Sequence, residues 1–596
     1  MSPALALTVC AGLVATAGLT TASVLATPTP SAAAEADLTE PELLRAWTGA
    51  KKGAVGTGLT PESCDFTGDG KDDIIASAWL WKRAPFGDIG AVYVIPNGTD
   101  SGQLDDPTTG ITRIEGPQKT DISVGFRVSC GGDVNGDGFD DLLIDEGESS
   151  RVWVVYGNGE PENISLEFLG DRGFIIDRDV DVDAGYDTQL AAVGDLDGDG
   201  FDDIGILSPR ANGGVGQVTI VKGRDGIATV HTENDDEVLM RLNNSGVKMM
   251  RLALAGDVDG DGTDDLIVGA PDAATEAAGR TYTGVTWMVS GTSRGDVDLT
   301  GDFDGFKVEC PALVRNRLGM SLATVGDVNG DGFDDFMIGG PGMSVQGGSA
   351  IVLGSDSHDT VYTDPESTNK FSVYSGSADE LTDRGWWIQD TATGASNLLG
   401  FSVAADPARE DYVGTLVVGE FIKHQAFALP TTALGDDKVI DLAQLGEDEK
   451  VVYNDGQKYL GRTISIVHQF GADTCTQIAL GGDGKDGNGS YNLFTVPWAQ
   501  DANCQATEEP GEEPGEEPGE GGSNGGTNGG GDQGGGSTPN DSTNNEAGGS
   551  ANTNNNATTG ALSNTGAELG GWLTAGAALL LIGGAVLAIQ IRRKTR

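Results

Sequence analysis

The chain has 596 residues, of which 93 are glycine and 6% are aromatic, with a formal net charge of −55. A surface this acidic repels phosphate, which argues against nucleic acid as a partner. So much glycine with so few aromatics suits tight turns between short strands better than long helices, and the length exceeds one ordinary domain unless the chain is built of repeats.

Residues 4–26, apolar and small, followed by TPTPSAAAEA, read as a secretory signal with cleavage after Ala26 or Ala34, although no Lys or Arg precedes the run. We take 1–34 as this segment and 35–505 as the folded region.

Within that region a single acidic stretch recurs five times: DFTGDGKDD from Asp65, DVNGDGFDD from Asp133, DLDGDGFDD from Asp195, DVDGDGTDD from Asp257 and DVNGDGFDD from Asp327. Each copy carries an oxygen-bearing side chain at positions 1, 3, 5 and 9 and Gly at 6. That spacing matches the start of an EF-hand loop, where oxygens at 1, 3 and 5 and the position-7 backbone carbonyl surround Ca²⁺ and Gly makes the sharp turn. The candidate ligands are Asp65, Thr67, Asp69, Lys71 and Asp73; Asp133, Asn135, Asp137, Phe139 and Asp141; Asp195, Asp197, Asp199, Phe201 and Asp203; Asp257, Asp259, Asp261, Thr263 and Asp265; and Asp327, Asn329, Asp331, Phe333 and Asp335. Up to five Ca²⁺ ions are expected. Counting acids, the Asp195 and Asp257 loops should bind tightest, those with Asn135 and Asn329 less tightly, and the loop with Thr67 least. The first Asp of each Asp-Asp pair points the other way on an extended chain and is expected to be solvated.

The loops lie 68, 62, 62 and 70 residues apart. After most of them comes an apolar run with a turn, and then a β run: AVYVIPNG (Ala91–Gly98), RVWVVYG (Arg151–Gly157), GQVTIVKG (Gly216–Gly223), GVTWMVSG (Gly284–Gly291) and SAIVLG (Ser349–Gly354). Two further units, around Leu399–Pro430 and Leu460–Trp498, keep this frame without the acidic loop. Seven units with material for four strands each predict an all-β, seven-bladed propeller. The seventh unit lacks one strand, and Glu42–Trp47 stands where an outer strand would precede the first. It is expected to complete the last blade and so remove two open edges.

These units resemble FG-GAP repeats, the building blocks of integrin alpha-subunit propellers. The Gly-aromatic element stands at Gly125-Phe126, Gly185-Tyr186 and Gly400-Phe401, with altered forms at Gly319-Met320 and Gly461-Arg462, and Gly-Ala-Pro stands at Gly269-Ala270-Pro271. The resemblance implies a seven-bladed ring with Ca²⁺ held in hairpins on one face.

Beyond Cys504 the composition becomes Glu/Pro-rich and then Gly/Asn-rich, which cannot bury a core; we take 506–561 as an extended linker. Residues 562–596 comprise LSNTG, an apolar run from Leu569 to Ile591 and a basic tail. The run is long enough for a single membrane span. Together they resemble a Gram-positive, LPXTG-like cell-wall sorting signal. The resemblance implies cleavage between Thr565 and Gly566 by a sortase and attachment to peptidoglycan, although Ser563 replaces the usual Pro. A plain single-pass anchor is the alternative, and either places the propeller outside the cell.

Cys475 could pair with Cys504, and Cys64 with Cys130, which hold nearly equivalent places in adjacent units; buried thiols are equally compatible. His231, His358, His424 and His468 are scattered, and no nucleophile motif, phosphate loop or zinc motif occurs. Arg294-Gly295-Asp296 spells a known adhesive tripeptide, but in a chain so rich in Gly and Asp it is expected by chance. The sequence therefore points to a non-enzymatic, surface-displayed module that recognises an extracellular glycan or protein. An exported hydrolase or lyase working in the propeller channel and a passive envelope spacer are the rivals.

Overall fold

The computed structural model describes residues 41–498, with short interruptions of which the longest are 50–62, 179–187, 275–282, 364–372, 376–381 and 483–488. The signal segment, linker, LSNTG motif, apolar run, Gly185-Tyr186, Cys475 and Cys504 lie outside the described residues. Among those described, no helix is long and apolar enough to cross a membrane.

The described chain is a seven-bladed β-propeller. Blade 2 is typical: Val128–Gly132, Asp141–Asp145, Arg151–Val155 and Gly173–Asp177 form an antiparallel sheet in chain order, inner strand first. Blades 3, 4 and 5 repeat it from Gln189, Arg251 and Ser321, and blade 6 from Leu399. Blade 1 contributes Ile74–Ala78, Ala91–Ile95 and Thr112–Glu115.

Closure follows the sequence expectation. Leu43–Thr48 pairs antiparallel with Ser490–Thr495, with Trp47 opposite Tyr491, so the first described strand is the outer strand of blade 7. The sequence pattern does not predict a further element. In blades 1, 2, 3, 4, 5 and 7 a short extra strand from further along the chain adds in parallel to the outer strand, as Gly295–Asp298 does to Met240–Asn243.

The core is divided by interface. Alternate residues of each strand face opposite neighbours, so a strand buried on both faces reads as a continuous apolar run. In the third strand of blade 4, Val285, Trp287 and Val289 pack toward blade 3 while Met288 packs toward blade 5. Each of the seven blade–blade junctions has such a cluster, including blade 7 on blade 1 through Trp47, Tyr491, Ala76 and Tyr93. A Cys64–Cys130 disulfide, with Cα atoms 5.7 Å apart, ties blade 1 to blade 2. Cys310 is buried at the end of the outer strand of blade 4.

Candidate metal centres

Four of the acidic loops join an inner strand to the second strand of their blade, and the first leads into the corresponding strand Ile74–Ala78, so they lie on one side of the ring. The residue at position 2 anchors the loop: Phe66, Val134, Leu196 and Val258 are buried between blades, and Val328 is partly buried. Glycines at positions 4 and 6 adopt the left-handed backbone, as at Gly198 and Gly200, with φ of 75° and 94°. The turn curls the following amides onto the position-1 carboxylate. In the third loop Asp195 Oδ1 accepts from the Gly198 and Asp199 N–H groups (2.8 and 3.0 Å), and Oδ2 accepts from Gly200 N–H (2.8 Å).

Position 9 opens the second strand and staples it to the loop and to the end of the third strand. Asp203 accepts from Leu196 N–H and Gly223 N–H, both at 3.0 Å; Asp265 accepts from Val258 and Gly291, and Asp335 from Val328 and Gly354. Burial, only partly offset by these donors, pushes the carboxyls of Asp73, Asp203 and Asp335 up to about 7 and those of Asp141 and Asp265 up to about 8. The position-7 residues donate their N–H to the position-5 carboxylate, as Phe201 does to Asp199 (3.1 Å).

The loops differ in how far they satisfy themselves. Asn135 and Asn329 donate to Asp137 and Asp331 at 3.0 and 2.9 Å, and the Thr67 hydroxyl donates to Asp73 at 3.2 Å. The two all-aspartate loops lack this relief. Carboxylate oxygens of Asp195, Asp197 and Asp199 lie within 4.8 Å of one another, as do those of Asp257, Asp259 and Asp265. Asp197 Oδ1, Asp257 Oδ1 and Asp141 Oδ2 are buried without a hydrogen-bond partner among the described residues. Clustered, desolvated, unpartnered carboxylate oxygens fit a hard divalent cation such as Ca²⁺. Asp197 also faces Lys222 Nζ at 3.1 Å, a side-chain cation that competes with a metal ion for the charge of that loop.

The first Asp of each pair is not solvated, contrary to the sequence expectation. It reaches the adjacent blade: Asp140 accepts from Asp65 N–H (2.7 Å), Asp202 from Asp133 N–H (2.9 Å) and Asp334 from Asp257 N–H (3.1 Å). The expectation failed because the side of the strand away from the loop's own ligands faces the preceding loop, not water. The aromatic at position 7 reinforces the link. A Cβ on Gly68, Gly136 or Gly260 would run into the ring of Phe139, Phe201 or Phe333 from the next blade. Where Thr263 replaces the aromatic, Gly198 has open space. The recurring Phe-Asp-Asp ending was the signal in the sequence for this belt.

The belt continues across the ring closure. Asp72 accepts from the His468 N–H (2.7 Å) and lies 2.8 Å from its Nδ1, while Nε2 lies 3.3 Å from Asp406 of blade 6. Burial opposes the imidazolium charge, but hydrogen bonds to Asp406 and Asp72 prevail and hold the His468 pKa up at about 10. In the Arg294-Gly295-Asp296 tripeptide, Arg294 is tied to the carbonyls of Gly291 and Leu196 at 2.6 and 2.7 Å, and Gly295 and Asp296 lie in a paired strand. It serves the blade 3–blade 4 junction.

Residues 126–155, 251–287 and 318–353, in blades 2, 4 and 5, match the FG-GAP repeat. The chain is 28% identical to Integrin alpha-PS2 of Drosophila melanogaster over 29% of this chain and 12% of that protein. It is 31% identical to Integrin alpha-4 of Xenopus laevis over 24% of this chain and 14% of that protein. With Integrin alpha-5 of Xenopus laevis the identity is 28%, over 29% and 15%. The matched region thus spans only 12–15% of these relatives' length. Three of the blades thus carry FG-GAP repeats, and part of the chain is similar to integrin alpha subunits.

Proposed function

We propose that this integrin-alpha-like ring is a Ca²⁺-clamped recognition or adhesion module for an extracellular glycan or protein, displayed outside the cell by its C-terminal segment. The observation that carries the reading is the coincidence of FG-GAP repeats with acidic loops whose buried carboxylate oxygens lack partners. Bound Ca²⁺ would supply positive charge to each loop. The residues at positions 1, 3, 5 and 9, with the position-7 carbonyl, would hold it, with the Asp257 loop tightest because Lys222 already occupies part of the Asp195 loop. The chain's own role is to fold these acids into place with backbone N–H donors and to transmit the clamp from blade to blade through Asp140, Asp202 and Asp334.

The test is a screen of the purified chain against glycan and matrix-protein arrays, with Ca²⁺ and with EDTA, alongside thermal unfolding. Calcium-dependent stability and calcium-dependent binding without turnover are expected. Hydrolysis or lysis of a polysaccharide, or a melting temperature indifferent to EDTA, would overturn the reading. Detection of the chain on sortase-deleted and wild-type cells tests whether Thr565-Gly566 is the cleaved bond.

A further inference from the structure

The extra strands on the outer edges of six blades all come from one place, the connection between the third and fourth strands of the following blade. Gly102–Gln103 of blade 1 lies on Leu43–Thr48 of blade 7, and Val439–Asp441 of blade 6 lies on Gly385–Gln389 of blade 5. Blade 6 is the exception. Among the described residues nothing pairs with the outer side of Val451–Tyr453, and Val452 is 39% exposed there. The cause is the way the ring closes. The connection that would cover blade 6 joins the third and fourth strands of blade 7, and these are Ser490–Thr495 and Leu43–Thr48, from opposite ends of the folded region. That connection is cut into a stretch after Thr495 and a stretch before Leu43.

The other blades show what such a strap contains. In five of the six, the residue just after the extra strand is buried: Leu104, Leu166, Leu299 and Leu442 are 1–4% exposed and Thr232 is 7% exposed. Four of these donate their N–H to the carbonyl of the last residue of the neighbouring outer strand at 2.8–3.2 Å, as Leu299 does to Asn243. Each leucine packs in the core between its own blade and the preceding one. Each of the five stands ten or eleven residues before the end of its own blade's fourth strand. Leu38, outside the described residues, stands ten before Thr48, and Asp37-Leu38-Thr39 repeats Asp298-Leu299-Thr300 of blade 4 letter for letter. The stretch after Thr495 has no counterpart, since residues 499–561 contain no Leu, Ile or Val. We propose that the stretch before Leu43, anchored by Leu38, is the seventh strap. It covers the outer edge of Val451–Tyr453, and Leu38 enters the core between blades 6 and 7 as Leu299 enters that between blades 3 and 4. Burying a leucine and pairing an edge that would otherwise recruit another chain both favour the covered state. The ring is then closed twice, by the strand that completes blade 7 and by a strap that ties the same segment to blade 6.

The test is residue-resolved amide hydrogen exchange of the full chain at two protein concentrations, for the wild type, Leu38→Ala and Leu38→Asp. In the wild type the Val451–Asn454 amides are expected to exchange as slowly as those of Val238–Asn243, the strapped outer strand of blade 3. Leu38→Asp should speed exchange at Val451–Asn454 at least tenfold, and Leu38→Ala by less, with Val238–Asn243 unchanged in both. Should Leu38→Asp fail to fold, Leu38→Ala carries the comparison. Fast exchange at Val451–Asn454 in the wild type, or slow exchange that neither variant alters, overturns the strap. Protection that grows with protein concentration gives the edge to a second copy of the chain and overturns it as well.

Discussion

Asp140 belongs by sequence to the second loop but bonds to the first, so its removal should weaken Ca²⁺ binding one blade away. Its Oδ2 accepts from Asp65 N–H at 2.7 Å, and its own N–H donates to Asp65 O at 3.2 Å, bracketing the residue that opens the first loop. Burial raises its pKa to about 6, with the charges of Asp65, Asp72 and Asp202 adding to the rise. At pH 7.5 it is therefore ionised, and the contact is a charge-assisted hydrogen bond worth about 1.5–3 kcal/mol. In the metal-free protein, Asp140→Ala loses that bond but also removes a charge repelling Asp65, so the two effects offset. With Ca²⁺ in the first loop the repulsion is neutralised and the loss is felt in full. The difference, about 1–2 kcal/mol, corresponds to a roughly five- to thirtyfold fall in first-loop affinity. The Gly70 and Gly138 amides donate to Asp65 and Asp133 at 2.8 and 2.9 Å, so their NMR resonances report the two loops separately during a Ca²⁺ titration. A variant that shifts the Gly138 titration and leaves that of Gly70 untouched would refute the coupling.

Four further outcomes are expected. Lys222→Met should tighten the Asp195 loop by up to about fivefold, or ~1 kcal/mol, since a half-exposed ion pair is worth no more; calorimetric Ca²⁺ titration in low salt measures this. The His468 pKa is raised above its unfolded value, so its contribution is complete below about pH 6.5 and fades as pH rises through about 10. His468→Gln should therefore lower stability by about 1.5–3 kcal/mol at pH 6 and by much less at pH 10.5, as read by denaturant titration at both. Reducing Cys64–Cys130, or replacing both with Ser, should cost about 2–4 kcal/mol, measured as the wild-type difference with and without reductant. Trp47→Ala removes a fully buried side chain from the strand that closes the ring and should cost about 3–5 kcal/mol; an unchanged unfolding midpoint would mean that closure does not depend on it.

The blades were legible because each strand must be apolar on two faces and each acidic loop has a fixed spacing. Leu43–Thr48 was legible by subtraction, since six units had four strands and the seventh had three. The belt was not. A sequence says that Asp140 faces away from Asp141, but not that the first loop of the neighbouring blade waits there; that depends on how two blades pack. The parallel fifth strands escaped for another reason, since Gly102–Gln103 or Val230–His231 is too short to show any period. The Cys64–Cys130 pair was legible as one of several. Choosing it requires knowing that equivalent places in adjacent units become neighbours across a blade junction.

The belt also bears on what the loops do. A calcium sensor needs an element free to move when the ion leaves, whereas here the first residue of a loop is held by an acid of the next blade and its glycine is covered by that blade's phenylalanine. Opening one loop would disturb a junction whose two faces are already packed, and the disturbance would pass to the adjacent loop. The break at Thr263 and Gly198 divides the belt into a run from blade 6 through blades 7, 1, 2 and 3 and a shorter run through blades 4 and 5.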